Sequence, residues 1–171
     1  MRTAPLLILV LALGCLGFAK KFPVTVRFHI EANERDGQPF AMPVTFHHPE
    51  RKGFMKQIPE ISERNIESIF PFRAEDGSMG CAFRLENFGR TALEEMSMSN
   101  RGASVVVFVG TKTGAHQVID MMIDKVIHDG IISVPRGLTD LEITALEMEF
   151  KNMKTGKKRT MKEIKMQSAI Q

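Results

Sequence analysis

The sequence predicts an α+β fold, a mainly antiparallel sheet with two or three helices packed on one face. Three stretches carry that reading. In "FPVTVRFHIEAN", Val24, Val26, Phe28 and Ile30 alternate with Thr25, Arg27, His29 and Glu31, the period expected of a strand with one buried face. "SVVVFV" is unbroken apolar and β-branched over Val105 to Val109, as suits a central strand covered on both faces. In "LTDLEI", Thr139 and Glu142 have the spacing of a capping box, with Leu138 and Ile143 at the positions of a hydrophobic staple.

The remaining elements follow in chain order. After the loop "ERDGQP", "AMPVTFHH" resumes the alternation with Met42, Val44 and Phe46 inward, and Pro43, which has no amide hydrogen, makes this an edge or an irregular strand. "PERKG" is a break and "FMKQIP" a further short strand. Ser62 and Glu63 open a short helix from about Glu63 to Phe70, with Ile61 and Ile66 as its staple and Pro71 as its stop. "EDGS" is a turn, and "GCAFRLE" is a strand whose inner face is Cys81, Phe83 and Leu85.

Asn87 caps a helix through "FGRTALEEMSMSN", with Phe88, Ala92, Leu93 and Met96 as its apolar stripe, Met98 as helix-end packing and Gly102 just past its end. "HQVIDMMID" places Ile119, Met121 and Ile123 inward and Asp120, Met122 and Asp124 outward. "IISVP" is the last strand, and Pro-Arg-Gly turns it into a helix that runs to about Phe150 on Leu141, Ala145, Leu146 and Met148.

A chain of 171 residues, 43% of them hydrophobic, suits one domain with a real core. Its start has the layout of a secretory signal peptide, residues 1–19: Arg2, the apolar "LLILVLALGCLG", and small residues at Gly17 and Ala19 before Lys20. The organisation read from this is a leader (1–19), a single α+β domain (20–152) and a basic tail (153–171). Such a chain is exported, periplasmic or secreted. Ala12-Leu13-Gly14-Cys15 also loosely matches a lipobox, which makes lipidation at Cys15, and a membrane-anchored lipoprotein, the alternative. Cleavage after Ala19 leaves Cys81 as the only cysteine and excludes an internal disulfide.

Charge is unevenly placed. Residues 151–171 hold seven Lys or Arg and one acid, a net of +6, whereas Lys20 to Phe150 holds 15 basic and 19 acidic residues, a net of −4. The basicity therefore belongs to the tail, where weak contact with an anionic surface is the partner it suggests. A mildly acidic body argues against nucleic acid as a partner.

From Gln57 to Phe150 the order of motifs resembles the head part of the first periplasmic domain of the SecD/SecDF protein-export proteins. The residues that carry it are "IPEISERNI", "ENFGRTALEEMSMSNRG", "SVVVFV", "VIHDGIISVP" and "RGLTDLEITAL", in that order. The resemblance implies a SecD periplasmic head-like fold and a surface that touches polypeptide. SecD proteins also carry several transmembrane helices, which have no counterpart here after the leader, and residues 22–56 match no part of the family pattern.

The histidines, His29, His47, His48, His116 and His128, have no metal-ligand spacing, and neither HExxH, paired CxxC nor Gly-x-Ser-x-Gly occurs. No metal, cofactor or catalytic set is therefore assigned. Asp124, Asp129 and Arg136 are the candidate binding cluster, beside the last helix. The function expected is an exported, non-enzymatic interaction module of the cell envelope that contacts polypeptide, by pairing an extended segment with an exposed sheet edge. Two alternatives stand beside it: a small metal-dependent or hydrolytic enzyme using the histidines, and a lipid-anchored structural envelope protein.

Overall fold

The computed structural model describes residues 23–160, so the leader and Cys15 lie outside the described residues. Ten strands and two helices follow in the order β1 (Thr25–Ala32), β2 (Ala41–His47), β3 (Glu50–Lys56), β4 (Ile61–Ser62), β5 (Ile66–Arg73), β6 (Met79–Leu85), α1 (Asn87–Ser99), β7 (Ser104–Thr111), β8 (Gly114–Met122), β9 (Ile131–Leu138), α2 (Asp140–Glu149) and β10 (Lys151–Asn152). They form two sheets. One runs β2-β3-β1-β7-β8 with β4 paired to β1, and the other runs β10-β5-β6-β9. Every pairing is antiparallel except that of β10 with β5.

The main core forms where the inner faces of the sheets and helices meet. Val26, Phe28 and Ile30 of β1 and Val24 just before it are all 0% exposed, as their alternation requires, and they join Phe83, Leu85, Leu93 and Leu146 in one cluster. Phe28 and Phe83 tie the two sheets edge to face, with ring centroids 5.9 Å apart. The opposite face of the larger sheet is not left to water. The β2–β3 hairpin folds over it, so that Phe46, Met55 and Val106 make a second, smaller cluster with Val44 and Phe108 against it. This is why β7 is buried on both faces and why His29, on the outer face of β1, is 5% exposed.

The capping box at Thr139 forms as its spacing demands: Glu142 N–H donates to Thr139 Oγ1 at 3.2 Å and Thr139 N–H to Glu142 Oε2 at 2.8 Å. Leu138 and Ile143 are buried beside it. β2 is an edge strand, as Pro43 allows.

Several expectations are corrected. The helix expected over Glu63–Phe70 is a single 3₁₀ turn, Glu63–Asn65, followed directly by β5. Pro71 does not end an element but lies within that strand, beyond the reach of β10, which pairs only with Ser68 and Ile69. Strand β3 begins at Glu50, inside the supposed break, and β9 continues through Pro135-Arg136-Gly137, where a turn was expected, by means of an irregularity opposite Met79 and Cys81. On α1 the buried positions are Gly89, Leu93, Met96 and Ser97, while Phe88 is 81% exposed. The helix docks on its glycine side, where a Cβ at Gly89 would stand 2.8 Å from Asn65 Cβ. Leu141, Met42 and Met98, expected inward or packed, are exposed as well.

Candidate functional site: a cleft between the two sheets

The site is organised by a carboxylate. Asp120 lies on β8, on the side read as outward, yet it is buried because the β2–β3 hairpin turn comes down over it. Its two oxygens accept the backbone amides of His47 at 2.8 Å and His48 at 2.9 Å. The His47 ring Nδ1 lies 3.3 Å from Oδ1 and the His48 ring Nδ1 3.8 Å from Oδ2. Burial pushes the Asp120 carboxyl up, but the bonds from His47 and His48 outweigh it and hold the group below the usual carboxylate range. Gln117, three residues earlier on the same strand, donates its Nε2 to Thr45 O at 3.0 Å.

The two side chains thus close β2 against β8 without a ladder, and they take up the backbone groups that the edge of β2 would otherwise present. Pro43, two residues before Thr45, shares its orientation and has no amide to offer. Prolines also lie on β5 past β10, at Pro71, and on β9, at Pro135, whereas β8, at the other end of the larger sheet, has none. Prolines at sheet edges prevent pairing with another chain. Edge addition, the contact mode expected from the sequence, would lack one backbone donor at Pro43 on β2 and one at Pro71 on β5.

Beside this closure the two sheets leave a cleft of about 810 Å³. Its walls are Ile119 and Asp120 of β8, Pro135 and Arg136 of β9, His48 of the hairpin and Phe72 of β5. β8 and β9 meet at its end without pairing, at Gly137. There φ is +93°, and a Cβ would stand 3.1 Å from the Val118 carbonyl, so only glycine fits. Phe72 reaches its place by lying across Gly80 of the neighbouring strand, where a Cβ would meet the ring and the Pro135 carbonyl at 2.5 Å. Arg136 is exposed, with Nη2 3.5 Å from His48 Nε2.

The three residues expected to cluster do not converge. Asp129 sits in the turn before β9 and accepts the Ile131 amide at 3.0 Å. Arg136 lies seven residues further along that strand, on the order of 20 Å away at a strand's rise. Asp124 lies just after β8, its carbonyl 3.3 Å from Nη2 of Arg101, which follows α1. Of the set only Arg136 belongs to the cleft. Asp120, Phe72 and His48 were missed as site residues, and the sole local hint was a pair of histidines next to a proline.

The other histidines are dispersed. His29 is buried, its Nδ1 2.8 Å from Lys56 O, and burial pulls its titration down, with the Lys56 carbonyl partly opposing. His116 faces Glu142 at 3.4 Å, and His128 faces Glu94 at 2.8 Å. Among the described residues no group of three or more His, Cys, Asp and Glu is placed to hold a metal ion. Cys81 is fully buried, and burial pushes its thiol up to about 12. In the first part of the basic tail, Arg159 pairs with Glu147 at 2.6 Å, Lys158 reaches Glu149 at 4.0 Å, and Lys154 lies 4.5 Å from the Phe70 ring centroid.

The arrangement is that of a two-sheet α+β module with a cleft bounded by β8 and the β2–β3 hairpin on one side and by β9 and β5 on the other. No protein-family model matches the chain, and no curated protein matches it. Solved structures do. It is similar to SecDF in a super-membrane-facing form, at 13% identity and a TM-score of 0.47, over 71% of this chain and 18% of that one. It is also similar to the SecDF structure reported as a membrane component that enhances protein export, at 12% identity and a TM-score of 0.47, over 84% of this chain and 66% of that one. Among the described residues no helix is long and apolar enough to cross a membrane.

Proposed function

We propose that this chain is an exported, non-enzymatic interaction module that holds a segment of polypeptide in the cleft between its sheets. The observation that carries the reading is the convergence of Phe72, Pro135, Arg136 and His48 on one open groove. An apolar floor with a few fixed polar groups suits binding. Chemistry would need a nucleophile or a ligand set beside the histidines, and Asp120, the one buried acid in reach, has both oxygens committed to backbone amides. The leader-like start supports work outside the cytoplasm.

The chain has neither Trp nor Tyr, so the emission of a single-Trp peptide reports binding without background. A panel of unstructured Trp peptides should bind the purified chain, and Phe72→Ala should weaken the tightest of them at least several-fold. Met42→Ala, on the edge of β2, should leave that affinity unchanged. The reverse pattern would return the contact to the sheet edge.

A further inference from the structure

We infer that the cleft selects a polypeptide segment carrying a carboxylate side chain next to an apolar one, with Arg136 as the recognising group. The inference rests on the reading of the cleft as a polypeptide site. Its charged lining decides the matter. Asp120 is saturated by the hairpin amides, Asp76 accepts Ser78 N–H at 2.9 Å and its hydroxyl at 2.6 Å, and Arg73 Nη1 donates to Gly77 O at 3.1 Å. The two carboxylates are thus engaged in the walls, and Arg73 is turned toward the Gly77 carbonyl.

Arg136 is different. Among the described residues its only hydrogen-bond partner is His48 Nε2 at 3.5 Å and no carboxylate forms an ion pair with it, although, after the bonds from Ser78, its charge helps hold the nearby Asp76 carboxyl below the usual range. A guanidinium has five N–H donors in a planar fork, and that fork matches a carboxylate with two parallel bonds. Arg136 is held beside Pro135 and across from Phe72, so the fork and the apolar floor present themselves together. A carboxylate would meet the first while a neighbouring apolar side chain meets the second.

Glu75 stands on the same rim and makes a doubly charged phosphate a poorer occupant than a singly charged carboxylate. Because the walls are strands β8 and β9, an extended segment laid along them enters and leaves the cleft, which favours an acidic side chain over a chain terminus.

The test uses three end-capped Trp-labelled nonapeptides that differ only at the centre: Phe-Asp, Phe-Asn and Phe-phosphoserine. The full chain should bind Phe-Asp on the order of tenfold tighter than Phe-Asn, as a charge-assisted bidentate pair does over a neutral one. Arg136→Ala should abolish that difference, and Arg136→Lys should keep part of it. Equal affinity for Asp and Asn, undiminished preference in Arg136→Ala, or tighter binding of phosphoserine each overturns the carboxylate assignment. In those cases a loss of affinity for both peptides in Phe72→Ala still supports the cleft. If Phe72→Ala changes nothing, or if none of the three peptides binds, the cleft reading itself fails.

Discussion

Asp120 accepts the backbone amides of both His47 and His48, joining β8 to a hairpin turn more than seventy residues earlier in the chain. One carboxylate therefore holds the hairpin over the outer face of the larger sheet, shields His29, and sets one wall of the cleft. Asp120→Asn keeps the size but loses the charge and one of the two acceptors, leaving a buried amide unpaired at a cost of about 1–3 kcal/mol. A denaturant midpoint that falls accordingly, with faster hydrogen exchange at the His47 and His48 amides, is the expected outcome. Unchanged exchange at those amides would show that the hairpin is held by its apolar cluster alone.

His29 gives the fold a pH dependence whose sign is fixed by burial. The folded chain resists charging this ring, so His29 titrates below its ordinary value of 6.5 when folded. As pH falls past 6.5 the unfolded chain takes up the proton first, so stability is complete above that pH and declines below it until the folded value is passed. Urea midpoints measured at pH 7.5 and pH 5.5, as probe conditions on either side of about 6.5, should therefore drop for the natural chain and drop less for His29→Gln. Glu31 and Asp120, both held below the usual carboxylate range, contribute in a separate and more acid window.

The capping box on α2 should cost about 1 kcal/mol when Thr139 is replaced by Ala. Both reciprocal bonds run between Thr139 and Glu142, so Thr139→Ala and Glu142→Ala together should cost less than the sum of the two single changes. Thermal unfolding of the four proteins in the cycle measures this directly.

How much of this was legible depended on how far each feature reaches. The cap at Thr139 and the alternation in β1 are local and were readable. β5 was not, because its register shifts between Ile66 and Ser68, so the buried positions Ile66, Ser68 and Ile69 no longer alternate and mimic helical spacing. Pro71 then looked like a stop, since nothing nearby in sequence reveals that β10 ends short of it. Asp120 read as an outward acid for a similar reason: its cover arrives from residues 47 and 48. Arg136 was picked out as a site residue, but its neighbours were taken from the chain when they come from the fold.

Proline at the sheet edges should guard against self-association. Pro43→Thr restores an amide on the outer side of β2, next to the Thr45 carbonyl already capped by Gln117. Light scattering at raised concentration should show more association for Pro43→Thr, and most for Pro43→Thr combined with Gln117→Ala. Equal scattering by all three proteins would mean that the edge is protected by some other feature.

Cys81 should be inert in the native protein, since its thiol is buried and pushed up to about 12. Alkylation at neutral pH is expected only after denaturant opens the core, and ready labelling under native conditions would place Cys81 nearer the surface than the fold allows.

The central claim is that contact is made in the cleft and not along a sheet edge. Amide and methyl chemical-shift mapping with a bound peptide tests it most directly. Changes centred on Phe72, Ile119, Arg136 and the His48 turn are the predicted result. Changes running along the outer amides of β2 or β5, with new protection from exchange there, would contradict it.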